Sequence, residues 1–327
     1  MAKLSRQERV DIAKTRLLRI LGKHQIAHMR TLEMKISDAG PFDQRIDPHI
    51  LTEARNELVL AGEIQVHQAA PHRPPWYYLG NTQFATVQAR LQQLETLQQA
   101  FSQQAVTSRT GQALEIAVYR TLADAGGIYF GDYTDLDAHD DSTLYSKKEP
   151  PNHLGNNRIP GDKLLDFLVS VGGDWAGIEC KNIREWIYPE REEVKDLLFK
   201  AVSLDCVPVL IARRIHASTF LLLNKCGLII HQTYNQRIAS ADAALAEQAR
   251  DKDSLAYFDI KVGNEADARL TKFITESLPA ALPAARAKYD QYFDLLWQYA
   301  DNQIDYENFA ARVRRRSQGV NEDFDPD

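Results

Sequence analysis

The chain has 327 residues, of which 44% are apolar and 26% charged, with a net charge of −6. This is the composition of an ordinary globular protein, long enough for two or three domains, and its acidic balance excludes a general nucleic-acid coat. No apolar run is long enough to span a bilayer and no signal-peptide core opens the chain, so no membrane partner is expected. Three scattered cysteines (Cys180, Cys206, Cys226) sit among apolar residues and read as reduced core positions of a cytoplasmic protein.

Charge is unevenly spread. Residues 3–35 hold nine Lys or Arg against three acids, whereas 132–141 hold five Asp and the last six residues four acids. Local surfaces of this kind, not the total, decide whether a polyanion binds.

In chain order, Ser5–Leu21 has the spacing of a helix with Val10, Ala13, Leu17, Leu18 and Leu21 inside. His28–Ile36 reads as a second, short helix. Asp47 caps a third, Pro48–Ala61, with proline at its first position. Ile64–Val66 and Trp76–Leu79 follow as strands around a loop. This order over residues 1–82 resembles a winged helix-turn-helix. The resemblance implies a third helix in the DNA major groove and a wing on an adjacent groove, with Arg55, Asn56, His72 and Arg73 as nucleic-acid contacts. Thr52, Glu53 and Glu57 share the exposed face, and that mixed charge fits a dimerisation module as well.

Residues 83–106 contain a Gln- and Leu-rich stretch without Gly or Pro, which predicts a connecting helix with Leu91, Leu94, Leu97 and Phe101 as its apolar stripe. A helix opening at Thr110 runs to Ala125, and Gly126-Gly127 close it. Glu115 shares the inward face of Val118 and Leu122, so its carboxylate needs either a metal or an arginine such as Arg109 or Arg120. Residues 131–160 are rich in Gly, Pro, Asp and Asn without periodicity, and form a long insertion placed to close over a substrate. His139, His153 and Arg158 are its candidate phosphate contacts.

Lys163–Asn182 reads as a β-hairpin turning at Gly172-Gly173. Val171 then opposes Asp174, and the same register sets Asp166 opposite Glu179. Like charges at that separation destabilise a sheet, and Lys181, two residues on, shares the face of Glu179. Two carboxylates and an ammonium on a buried hairpin call for a compensating divalent cation. The pattern D-x12-E-x-K resembles the core motif of the PD-(D/E)XK nuclease superfamily, which includes restriction endonucleases and Holliday junction resolvases. Asp162, in Pro160-Gly161-Asp162, competes for the aspartate position, but it precedes the apolar run and Asp166 fits better.

That resemblance, over 107–236, implies an α/β fold, a restriction-endonuclease-like mixed sheet flanked by helices. It implies that Asp166 and Glu179 hold Mg²⁺ (with Mn²⁺ able to substitute), that Glu115 adds a further ligand, and that Lys181 positions or activates water. It also implies DNA as partner and a homodimer that cuts both strands, in restriction, phage defence or repair. A non-enzymatic DNA-binding protein with a structural hairpin is the alternative, as is a nuclease acting on RNA or branched DNA. Glu190–Leu204 and Ala217–Asn224 read as helices around the buried strand Val207–Ala212, with another strand in Cys226–His231. Residues 237–327 read as a helical C-terminal extension with an acidic tail, carrying a basic run, Arg312–Arg316, at its last helix.

Overall fold

The computed structural model describes residues 4–39, 45–68, 73–136 and 140–321. The chain divides into two compact units, Met1–Thr107 with Asp242–Ile260, and Ser108–Ala241 with Lys261–Asp327. Among the described residues no helix is long and apolar enough to cross a membrane.

The first unit opens with α1 (Arg6–His24), where Ser5 and Glu8 form a reciprocal capping box and Val10, Ala13, Leu17 and Leu21 are buried. Next come β1 (Ile26–His28), α2 (Met29–Glu33), which continues as a wider turn over Met34–Asp38, and α3 (Pro48–Leu60). Asp47 accepts a hydrogen bond from the His49 amide and so caps α3. β2 (Ile64–His67) and β3 (Trp76–Leu79) complete an antiparallel sheet in the order β1-β3-β2. The expected connector, α4 (Phe84–Phe101), belongs to this unit. Its buried Val87, Leu91 and Leu94 face inward and its Phe101 ring meets Tyr257 edge-on. The apolar stripe is thus satisfied within the unit, against a later segment of the chain.

The second unit begins with α5 (Gln104–Ala125), which starts six residues before the Thr110 that periodicity suggested. β4 (Ile128–Phe130) follows. The insertion then holds two small ribbons in place of an aperiodic loop: β5 (Asp132–Tyr133) with β6 (Lys147–Lys148), and β7 (His153–Leu154) with β8 (Asn157–Arg158). The buried Asp141 pins this segment, accepting from the Ser240 amide at 3.0 Å and from Asn264 at 3.1 Å. β9 (Phe167–Val171), β10 (Asp174–Lys181), α6 (Glu192–Leu204), β11 (Val207–Ala212), α7 (Ala217–Lys225), β12 (Ile229–Gln232) and β13 (Gln236–Ile238) come next. α8 (Ala243–Arg250) belongs to the first unit, and β14 (Ile260–Val262) after it interrupts the expected all-helical extension. α9 (Ala268–Lys272), α10 (Leu278–Ala300) and α11 (Tyr306–Ser317) finish the described chain.

The unit is α/β, a five-stranded mixed sheet in the order β12-β11-β10-β9-β4 with helices on both faces. β10 pairs antiparallel with β9 and parallel with β11. The alternation of β11 shows why both faces need cover: Val207, Val209 and Ile211 enter one core with α5 and α9, while Leu210 and Ala212 enter the other with α6 and α10. Tyr289, Leu296 and Phe309 of α10 and α11 belong to that second core. The helices from α9 to α11 therefore supply a covering layer of the sheet, while Asp242–Ile260 belongs to the first unit. Part of the basic run is spent inside the unit, since Arg316 pairs with Asp294 at 2.6 Å.

Candidate active site

The hairpin has the register that its two glycines demand. Gly172 and Gly173 both have positive φ, 62° and 96°, and Val171 opposes Asp174 through to Phe167 opposite Ile178. The regular ladder ends there: the Asp166 amide, just before β9, donates to the Ile178 carbonyl at 3.0 Å, so the expected opposition of Asp166 and Glu179 is not part of the paired register. Strand alternation sends Ala176, Ile178 and Cys180 into the α5 core and leaves Glu179 and Lys181 on the α6 side. Gly131 closes tightly on this turn of chain. Its φ is +108°, and a Cβ there would stand 2.6 Å from the Asp166 carbonyl oxygen.

Two carboxylates, from a helix and a loop, share one ammonium, and a third on a neighbouring strand feels the charge of Asp166. Asp166 Oδ2 accepts from the Cys180 amide at 2.6 Å, which locks its carboxylate to β10. Glu115, on α5, accepts from Lys147 Nζ at 2.7 Å and from the Tyr133 hydroxyl at 2.9 Å. Lys147 also reaches Asp166 Oδ1 at 3.4 Å, and its side chain is only 8% exposed. Glu179, 3% exposed, is held by Lys181 Nζ at 2.6 Å and by Lys200 Nζ at 3.1 Å. Lys200 is itself buried and bridges on to Asp196 at 2.6 Å.

The electrostatics tie these groups into one cluster. Burial, and then the negative charge of Asp166, raise the Glu115 carboxyl above the usual range. The same two causes push Glu179 up to about 7. Burial acts to lower the Lys181 ammonium, but the adjacent Glu179 outweighs it and the net shift is upward. Lys147 behaves likewise under the pull of Asp166 and Glu115. Asp166 is therefore felt by both glutamates, and each glutamate is stable as an anion only beside an ammonium.

Asn182 fixes the distance between the two sides of the site. Its amide donates to the Arg237 carbonyl at 2.8 Å and to the Thr110 carbonyl of α5, and its Oδ1 accepts from the Arg237 amide at 3.1 Å. The helix carrying Glu115 is so tied to the end of the strand carrying Glu179. Beside Lys181 a pocket of about 570 Å³ opens to solvent, lined among others by Lys163, Lys195, Asp196, Phe199 and Asn302.

The four residues expected to carry chemistry, Glu115, Asp166, Glu179 and Lys181, thus lie together in one unit. Asp162 is exposed at the entrance to the hairpin and does not join them. Neither arginine offered as a partner for Glu115 takes that role: Arg120 faces Glu265 at 3.7 Å, and Arg109 donates to the Ser142 carbonyl. The partner is Lys147.

The expected nucleic-acid contacts are more dispersed. Asn56 is exposed on α3, whereas the Arg55 guanidinium lies 5.1 Å from the Tyr77 ring centre. Glu53 and Glu57 of the same helix are engaged by Arg6 and Lys14 of α1. Arg73 faces Glu95 at 3.7 Å. His72 and His139 lie outside the described residues. Arg158 is exposed on its ribbon in the second unit, opposite His153.

Sequence reasoning missed Lys147, Lys200 and Tyr133. Lys200 left a signal, a lysine three residues after Leu197 on the buried stripe of α6. Lys147 and Tyr133 left none, because the ribbon that delivers them is too short to have a period. Comparison of the chain with models of known families, with curated proteins and with solved structures gives no match.

Proposed function

We propose that this chain is a divalent-metal-dependent endonuclease of the PD-(D/E)XK, restriction-endonuclease-like class, hydrolysing DNA phosphodiester bonds. The observation that carries the reading is the Glu115–Asp166 pair bridged by Lys147, whose Asp166 charge is felt at Glu179, with Lys181 on the strand of Glu179. The donor set suits a hard cation, because all three side chains offer carboxylate oxygens. The Lys147 ammonium, held between Glu115 and Asp166, marks that pair as a place where positive charge is stabilised.

Mg²⁺ held by these carboxylates, or Mn²⁺ in its place, would supply positive charge at the scissile phosphate and a more acidic water. Glu115, Asp166 and Glu179 fix where that charge sits. Lys181, partly exposed beside the open pocket, orients the attacking water and offsets charge developing on the phosphate. The helix-strand-helix-helix-strand-strand order of the first unit, with its β1-β3-β2 sheet, supports a winged helix-turn-helix that holds the duplex.

A second reading has its own support. Glu115 and Asp166 share Lys147, and Glu179 is held by Lys181 and Lys200, so each carboxylate has an ammonium without metal, as in a structural ion network of a non-enzymatic DNA-binding protein. One assay separates the two. Supercoiled plasmid, linear duplex and a four-way junction are incubated with the protein in Mg²⁺, Mn²⁺ or EDTA. Nicked or cut product that requires metal is expected, and the plasmid-to-junction ratio reports the preferred substrate. No product from any substrate in either metal overturns the nuclease.

A further inference from the structure

We infer that Arg269, set over the Tyr234 ring that the buried Arg214 also approaches, at the carboxyl edge of the sheet, forms a phosphate-gripping ledge for the DNA strand that runs off the active site. The inference rests on the nuclease reading and adds a second point of contact to it.

The ledge is built on the same edge as Lys181. The Lys181 carbonyl accepts from the Arg213 amide at 3.3 Å, and the Arg213 carbonyl accepts from the Tyr234 amide at 3.1 Å. The ends of β10, β11 and β12 therefore step outwards from Lys181 to Tyr234, at about 4.8 Å per strand. Ligands of open α/β sheets bind beyond the carboxyl ends of parallel strands, which is where this step lies.

The chemistry there is cationic and aromatic. The Arg214 guanidinium lies 4.8 Å from the Tyr234 ring centre and 6.0 Å from that of Trp186. Arg269 lies 4.5 Å from the same Tyr234 ring. Arg269 is exposed, and among the described residues no carboxylate pairs with it. The nearby Asp267 is engaged by Arg237 at 3.1 Å and faces Lys261 at 3.8 Å. The exposed Arg269 guanidinium, oriented by the ring beneath it, keeps N–H edges able to donate to a phosphate, whereas Arg214 is buried and holds the ring from within.

Tyr234 holds this arrangement at a conformational cost. Its φ is +61°, a left-handed conformation that a tyrosine adopts only when its neighbours impose it. The two arginines come from different segments, the end of β11 and α9, and the ring is what brings their like charges together. With two guanidiniums within 5 Å of its centre, the ring is poorly placed to stack on bases, so the ledge grips phosphates without reading sequence.

The test is DNA binding by the full chain in EDTA, where cleavage cannot contribute. Fluorescence anisotropy is recorded with a short fluorescein-labelled duplex, and with its separate single strand, over a series of salt concentrations. Arg269→Ala is expected to weaken binding about three- to tenfold and to reduce the salt slope by about one, as for one lost phosphate contact. Arg269→Glu should weaken it further. Tyr234→Asn keeps a residue that tolerates the left-handed conformation while removing the ring, and should match or exceed Arg269→Ala. Circular dichroism checks that each variant folds. The ratio of duplex to single-strand loss tells which form of the strand lies on the ledge. Unchanged affinity and slope in both Arg269 variants overturns the inference, as does a wild type that binds neither probe. If the wild type cuts plasmid but Arg269 is neutral, the ledge alone fails. If binding falls as expected and nothing is cut, the ledge stands and the nuclease reading falls.

Discussion

Lys147 Nζ lies 2.7 Å from Glu115 Oε2, and this bond joins the insertion to the helix that frames the site. The same ammonium reaches Asp166 at 3.4 Å and lies 5.2 Å from the Phe167 ring centre. It is the charge that lets two half-buried carboxylates coexist before any other cation arrives. Replacing Lys147 with Met should lower stability in EDTA by about 3 kcal/mol, because a broken buried pair leaves its partner uncompensated. Added Mn²⁺ should then raise the melting temperature of the variant more than that of the wild type. A Lys147→Met protein that melts like the wild type, or gains nothing extra from metal, would show that the ammonium is not the cluster's counter-charge.

Asp166 needs two substitutions to separate its roles. From the hairpin register alone, removing its charge relieves repulsion against Glu179 and holds or raises stability without metal. The structure adds an opposing term, since Asp166 also accepts from the Cys180 amide at 2.6 Å and shares Lys147. Asp166→Asn keeps an acceptor for that amide, whereas Asp166→Ala leaves a buried N–H without one, at about 1–3 kcal/mol. The expected order of melting temperature in EDTA is therefore Asn above Ala, with metal-dependent stabilisation reduced in both. Equal melting of the two variants would remove the amide bond from the account.

The sequence made the hairpin legible because its register follows from a two-glycine turn and a period of two, and both are local. Glu115 was legible for a similar reason: a charge at i, i+3 and i+7 with Val118 and Leu122 must face inward. Its partner was not, because Lys147 is 32 residues away on a two-residue strand. The division into units was harder still. Apolar stripes on α4, α10 and α11 announce that each helix is covered, but periodicity carries no information about what covers it. Residues 83–106 and 237–327 consequently looked like a connector and an extension, although both complete cores begun elsewhere.

Glu179 gives the site a pH dependence. Its carboxyl is pushed up to about 7 in the folded chain by burial and by Asp166, from an ordinary value of 4.5. Between those values the folded state holds a proton that the unfolded state has released, so stability without metal should fall as pH rises through the window. Metal binding needs the carboxylate ionised and should strengthen over the same range. Cleavage at limiting Mg²⁺ is expected to climb from pH 5.5 to about 7.5 and then level. Glu179→Gln should flatten the stability profile in EDTA. A wild-type stability profile that rises steadily across this window would mean that Glu179 is ionised throughout.

Lys181 and Lys200 share Glu179, yet the structure assigns them different work. Lys181 is partly exposed beside the open pocket, with its Nζ 2.6 Å from Glu179 Oε1. Lys200 is 6% exposed, wedged between Glu179 and Asp196. Lys181→Ala should leave the circular dichroism spectrum, the DNA affinity and, within about 1 kcal/mol, the stability unchanged, because Lys200 still pairs with the Glu179 carboxylate. Its cleavage rate should fall by about a hundredfold or more, the scale on which a single charge-stabilising donor acts. Lys200→Met removes the buried counter-charge of two acids and should cost about 3 kcal/mol of stability first, with any loss of rate following from a displaced Glu179. Measuring melting temperature and single-turnover cleavage on both variants reads this split directly. If Lys181→Ala cuts DNA at the wild-type rate, the lysine of the motif has no part in the chemistry and the nuclease assignment loses its central residue.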